Sequence, residues 1–167
     1  MTTISGERVL LRPATERDVG AIAAMLAEPD VVRWWGEHDA DRVRRELLED
    51  PASEAYAIEV DGEFAGLLLI SEENDPDYRH AALDISLRTD LHGRGLGREA
   101  LRAAVEQLAR ERGHHRFTID PSADNEPAIR CYAAVGFRPV GVLRRYWRAP
   151  DGGWRDGLLM DLLAEDL

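Results

Sequence analysis

Two carboxylates occupy places where carboxylates are costly. Asp84 interrupts the alternation Leu83, Ile85, Leu87, and Asp120 ends the run Phe117-Thr118-Ile119, so each lies on a stretch otherwise built as a strand. With Leu83, Ile85, Phe117 and Ile119 facing one way, both acids face the other. Taking an unpaired carboxylate out of water is expensive or raises its pKa, so such a residue needs a partner or a chemical role. Beside an amine it can hold the ammonium ion and accept its proton. A hydrogen bond to a loop, or exposure at a strand end, is the other account of the same pattern.

Between the two acids stands a glycine-rich turn, His92-Gly93-Arg94-Gly95-Leu96-Gly97. From Leu96 the apolar residues recur as Ala100, Leu101, Ala104, Val105 and Leu108, a helical stripe, which puts the glycines on a helix N-terminus. The first turn of a helix leaves N–H groups unpaired, glycines allow a phosphate to approach them, and the helix dipole adds attraction. Arg94 and Arg98 add positive charge. A tight turn alone would also use glycines here. Further on, Asn125 and Tyr132 are separated by two helical turns and so project from one helix face.

The elements that must carry these residues can be read in order. Residues 8–12 form a strand, and Thr15 caps a helix bearing Val19, Ile22, Ala23 and Leu26, stopped by Glu28-Pro29-Asp30. A connection holding Trp34 and Trp35 leads to a helix over residues 39–49. Adjacent residues in a helix or turn cannot face the same way, so at least one tryptophan borders a pocket. Asp61-Gly62 joins two antiparallel strands, and residues 71–80 form an acidic loop. After the central strand and the long helix, which ends at Gly113, come a strand over 116–120 and a helix over 126–135 capped by Asp124 or Asn125. A strand toward Val142 and a last strand over 154–163 complete the order.

The turn at residues 92–97 resembles the acyl-CoA pyrophosphate loop, Q/R-x-x-G-x-G/A, of the GCN5-related N-acetyltransferases, with His92 where Gln or Arg is usual. Asn125, Ala128, Tyr132 and Gly136-Phe137 are similar to that family's N-x-x-A-x-x-x-Y-x-x-x-G-F signature. Because the loop works through backbone N–H groups, the histidine changes little. The resemblance implies an α/β (α+β) fold: a mixed, mostly antiparallel sheet of about seven strands with a splayed central parallel pair, flanked by four helices. It implies acetyl-CoA as co-substrate, with His92, Gly93, Arg94, Gly95, Leu96, Gly97, Arg98 and Asn125 as its binding residues. The backbone of Ile85, Ser86 and Leu87 would hold the pantetheine arm, and Tyr132 would protonate the departing sulfur. Asp84 is then the candidate base and Asp120 the residue that orients the amine.

Residues 119–137 and the Val32-Arg33-Trp34-Trp35-Gly36 stretch look like aminoglycoside 6′-N-acetyltransferases and siderophore hydroxylysine acetyltransferases, which implies an acceptor site lined by Trp34, Trp35, Asp84 and Asp120. Residues 141–163 are instead similar to ribosomal-protein and peptide N-terminal acetyltransferases, whose acceptor is an α-amine. A domain that only binds acyl-CoA would need neither Asp84 nor Tyr132.

At 167 residues the chain is expected to form one domain, 1–167. Its formal charge of −11 disfavours a nucleic-acid partner and suits a cationic small-molecule substrate, while surplus acid is also commonly a matter of solubility. No stretch approaches the ~20 apolar residues of a membrane span. The N-terminal residues show no secretory pattern, so the expected location is cytoplasmic. The single cysteine, Cys131, reads as a small buried hydrophobe, and the five histidines show no metal-ligand spacing. A sheet edge near the C-terminal strands would support a homodimer.

Overall fold

A computed structural model describes residues 2–167. A short strand, β1 (Ile4–Ser5), precedes β2 (Val9–Pro13), which overlaps the strand predicted over 8–12 but starts one residue later. Thr15 and Asp18 form a reciprocal capping box around one tight turn, Glu16–Asp18, that opens α1 (Val19–Leu26). Glu28-Pro29-Asp30 both follows the end of α1 and begins a second helix, α2 (Pro29–Trp35), so both tryptophans are helical rather than in a connection. Proline is as well suited to a first helical turn as to a break, because the N–H it lacks has no partner there. Asp39 accepts from the Arg42 N–H to cap α3 (Ala40–Val43), which runs on as a π-helical turn over Arg44–Leu48.

β3 (Ser53–Val60) and β4 (Glu63–Glu73) are joined by Asp61 and Gly62 at φ of 52° and 80°, the left-handed pair a tight hairpin requires. β5 (His80–Leu87) delivers the chain to the glycine turn and α4 (Leu96–Arg112), which ends at left-handed Gly113. β6 (Arg116–Ile119), α5 (Glu126–Val135), β7 (Arg138–Arg148) and β8 (Trp154–Leu163) follow.

The eight strands form one sheet in the order β1-β2-β3-β4-β5-β6-β8-β7. All pairs are antiparallel except β5 and β6. That parallel pair touches only at Ala81↔Phe117 and Ala82↔Thr118, although β5 stays paired to β4 as far as Gly66↔Leu87. Beyond Ala82, therefore, β5 has no strand on its β6 side, and the sheet opens into a wedge. The closed end is tied by Arg112, which donates to Glu54 at 2.8 Å and also to Glu72.

Two apolar cores lie on opposite faces. Leu68, Ile70, Leu83 and Leu87 pack with Leu96, Leu101, Val105 and Leu108 of α4 and with Tyr132 and Phe137. Leu67 packs with Val19, Ile22, Leu26, Val31, Val43 and Leu47 of the first three helices, and Leu69 and Trp35 pack against that group. Each such aliphatic side chain stabilises by roughly 1.5–3 kcal/mol on burial. Asp84 is the register partner of Leu69 and Ser86 of Leu67, which places both on the α1–α3 face. Among the described residues no helix is long and apolar enough to cross a membrane.

Candidate active site

The glycine turn sits at the open end of the wedge. Gly93 and Gly95 have φ of 72° and 78°, and a Cβ at Gly93 would meet open space, so the turn is bare on its outer side. Gly95 is the residue immediately before α4, whose first-turn N–H groups point out of the helix end. Gly97 packs inward: a Cβ there would lie 3.4 Å from Leu87 Cδ1 and 3.7 Å from Cys131 Sγ. The His92 ring reaches back, its Nε2–H donating to the Leu87 carbonyl at 2.9 Å, and so fixes the entry to the turn. On the other flank Arg8 donates to the Arg94 carbonyl at 3.1 Å and pairs with Glu99 at 2.8 Å, which neutralises the only acid in the first turn of α4. Arg94 and Arg98 are exposed. A bare left-handed turn, free N–H groups and two exposed guanidiniums together fit an anionic diphosphate.

The backbone of β5 supplies the next part. Arg88 N–H donates to the Ala65 carbonyl at 2.9 Å, and by strand alternation Ser86 and Asp84 also direct their backbone groups to β4. Ile85 and Leu87 direct theirs into the wedge. Of the three residues expected to present N–H groups there, Ser86 is thus committed to the sheet. The N–H groups of Ile85 and Leu87 are the two that face the gap.

Asp84, Asp120, Tyr132 and Tyr146 converge on the same opening. Asp84 remains open to solvent yet is ringed by protein; burial, then the charge of Asp120, push its carboxyl up to about 7. Tyr132 comes from α5 on the opposite side of the wedge, 7 % exposed, its ring edge-on to Phe137 at 6.5 Å. Burial first, and then the charges of Asp84, Cys131 and Asp120, keep its phenol protonated far above neutral pH. Its hydroxyl makes no hydrogen bond among the described residues. Tyr146, from β7, donates a hydrogen bond to Asp120, a contact that no pattern in the sequence foretells.

The remaining candidates are placed as follows. Asn125 caps α5, its side-chain oxygen accepting from Ala128 N–H at 3.3 Å, so it precedes the helix and does not lie on its face. The cap leaves the amide NH₂ as a donor. Cys131 is half-buried, and burial pushes its thiol up. Trp35 packs into the core under α1–α3, whereas half-buried Trp34 lies under the Arg33 guanidinium, 4.4 Å from its carbon. Both tryptophans are carried by α2, which packs on the sheet face that bears Asp84. Among the described residues no three His, Cys, Asp or Glu side chains converge to hold a metal ion.

Comparison with known proteins places this geometry. Residues 8–138 match the acetyltransferase (GNAT) domain family. The aminoglycoside N(6′)-acetyltransferase type 1 of Klebsiella pneumoniae is 29% identical over 171 residues, spanning 91% of this chain and 83% of that protein. Spermidine N(1)-acetyltransferase of Escherichia coli K12 is 26% identical over 145 residues, 83% of this chain and 77% of the relative. Among solved structures, Mycobacterium smegmatis RimJ in complex with CoA-disulfide superposes with a TM-score of 0.85 at 28% identity, covering 99% of this chain and 89% of that one. The wedge, the bare turn at its mouth and these relatives lead to one assignment: the chain belongs to the GNAT acetyltransferase family and is an N-acetyltransferase.

Proposed function

We propose that residues 1–167 act as one domain that transfers an acetyl group from acetyl-CoA to a primary amine of a small polycation, the 6′-amine of an aminoglycoside being the first candidate. The observation that carries this reading is the pair of carboxylates, Asp84 and Asp120, at the mouth of the wedge, in a chain of formal charge −11. Two acids attract an acceptor with several ammonium groups more strongly than one with a single amine. Two relatives of this chain are named for polycationic acceptors, an aminoglycoside and spermidine.

In this reading the turn from His92 to Arg98 binds the diphosphate of the donor through the first N–H groups of α4, with Arg94 and Arg98 adding charge. The Leu87 N–H and the Asn125 amide hold the pantetheine arm where it enters the wedge. When bound, acetyl-CoA supplies the thioester that the amine attacks directly. Asp84 takes the proton that the ammonium must lose before its lone pair is free. A carboxyl at about 7 is suited to this transfer, being ionised half the time near neutral pH and basic enough to take a proton. Asp120 holds the cation in place. Tyr132, kept protonated by burial, gives its proton to the sulfur as it departs. Trp34 and Trp35 belong to the acceptor side of the sheet.

The test is thiol release from acetyl-CoA by the purified protein with kanamycin A, spermidine, a hydroxylysine siderophore precursor and short peptides with free N-termini in parallel. Turnover of kanamycin A with acetylation at the 6′ position establishes the reading. Turnover confined to peptides removes it and moves attention to the hairpin of β7 and β8.

A further inference from the structure

β7 and β8 are not a regular hairpin. Leu143 pairs with Gly157 and Trp147 with Arg155, so β7 spends two residues more than β8 over the same span. The excess is taken up at Arg145, whose φ of 52° is in the left-handed region and whose N–H donates to Asp156 Oδ1 at 2.7 Å. For a side chain with a Cβ this conformation is unfavourable, and the Asp156 bond holds the bulge in place.

The bulge turns Tyr146 across β8. Its ring lies on Gly157, where a Cβ would stand 2.7 Å from Tyr146 Cδ1, so only glycine at that position lets the ring pass. Beyond Gly157 the loop after β6 is fastened to β8: Leu158 N–H donates to the Pro121 carbonyl at 2.8 Å, and Ala123 N–H to the Asp156 carbonyl at 2.9 Å. Trp147 Nε1–H donates to Ser122 Oγ at 3.2 Å. Tyr146 thereby reaches Asp120 over its neighbouring strand. Asp84 from β5, Tyr132 from α5 and Tyr146 from β7 face Asp120, and among the described residues only Tyr146 is bonded to it.

We propose that Tyr146 is a positioning residue for the acceptor amine: acting through Asp120, it holds that carboxylate in one orientation at the mouth of the wedge, where the amine must sit. A hydrogen bond donated to a carboxylate oxygen restricts the rotation of the carboxylate and so fixes where its other oxygen points. The same contact pushes the Tyr146 phenol up to about 12, so the donor keeps its proton throughout the working range. The inference rests on the N-acetyltransferase site and not on which amine is the substrate.

The experiment compares wild type, Tyr146→Phe, Gly157→Ala and the double variant with whichever of kanamycin A, spermidine or a free-N-terminal peptide the wild type turns over. Tyr146→Phe keeps the ring and removes the hydroxyl; Gly157→Ala keeps the hydroxyl and displaces the ring. Both are expected to raise the acceptor KM by roughly 10-fold, the worth of one hydrogen bond to a charged group. kcat and the acetyl-CoA KM stay within about two-fold, and the double variant is no worse than either single one, since both break one contact. An unchanged acceptor KM in Tyr146→Phe, or an acetyl-CoA KM rising in step with it, overturns the proposal. The contact itself is read without any acceptor from tyrosine ring-carbon NMR of the wild type and Asp120→Asn. The Tyr146 resonance is expected to move while that of exposed Tyr78 does not. If it stays in place the proposal fails, whether or not the protein acetylates an aminoglycoside.

Discussion

Replacing Asp84 by Asn should make the protein more stable and much less active, with the stability gain growing between about pH 4 and 7 and held above it. The folded structure raises this carboxyl from its ordinary 3.8 to about 7, burial being the larger cause and the charge of Asp120 the second. At about 1.36 kcal/mol per pKa unit, that rise is worth ~4 kcal/mol for a fully dry group. Asp84 is open to water on the cleft side, and screening there reduces the figure to ~1–2 kcal/mol. The sign follows from proton binding. Between pH of about 4 and 7 the folded protein holds a proton that the unfolded chain has released, so stability falls as pH rises through this window and is level above it. Asparagine mimics the neutral acid and abolishes the slope. The variant should therefore match wild type below about pH 4 and exceed it by ~1–2 kcal/mol above pH 7, or roughly 2–8 °C in Tm for a chain of this size. Loss of the base should lower kcat/KM by about 10²–10⁴. Urea denaturation at pH 5 and pH 8, with thiol release from acetyl-CoA, measures both. A stability difference that is the same at the two pH values, or a variant weaker than wild type at pH 8, would refute the desolvated-carboxylate argument; full activity would refute the assignment of the base.

Asp120→Asn removes the charge that raises Asp84, so the acid limb of kcat/KM, expected near pH 7 in the wild type, should move down while the acceptor KM rises; a limb that stays put means that Asp120 does not act on Asp84. Tyr132→Phe should lower kcat by roughly 10²-fold with the KM for acetyl-CoA retained, and an unchanged kcat removes Tyr132 as the proton donor. Gly66→Ala would place a Cβ against the Ser86 carbonyl and 2.6 Å from Leu87 Cδ2, where β4 has no room to yield. It should cost about 1–3 kcal/mol in thermal or urea denaturation and weaken acetyl-CoA binding by shifting the lip of the wedge, whereas wild-type stability would show that the strands do not approach so closely.

Legibility in the sequence tracked the range over which each feature is decided. The alternation through Leu83 and Leu87, the glycines and the stripe from Leu96 to Leu108 specify β5, the turn and α4, because backbone conformation and side-chain facing there depend on neighbours within a few residues. The Gly113 stop is equally local, as is a polar cap before α5, although the choice between Asp124 and Asn125 is not. Short elements were less readable. β1 has two residues, too few for a period, and the Val31-Val32 and double-tryptophan content of α2 carries weak helix propensity, so its helical state comes from packing Val31 and Trp35 into the core.

Residue types and spacing suffice to put Asp84 on a strand beside a phosphate-binding turn and Tyr132 in the body of α5, but they leave the cap open between Asp124 and Asn125 and set Asn125 on the helix face rather than ahead of it. They do not reveal that Ser86 turns away from the wedge, since which N–H groups are free depends on the register of β4 against β5. Nor do they bring Tyr146 to Asp120. Their positions are 26 residues apart, and the meeting requires β8 to lie between β6 and β7, a two-residue bulge at Arg145, and the bare backbone of Gly157 in between. A pattern of side-chain types records which face a residue prefers; only the closed sheet, with each register fixed by strands distant in the chain, decides which faces meet.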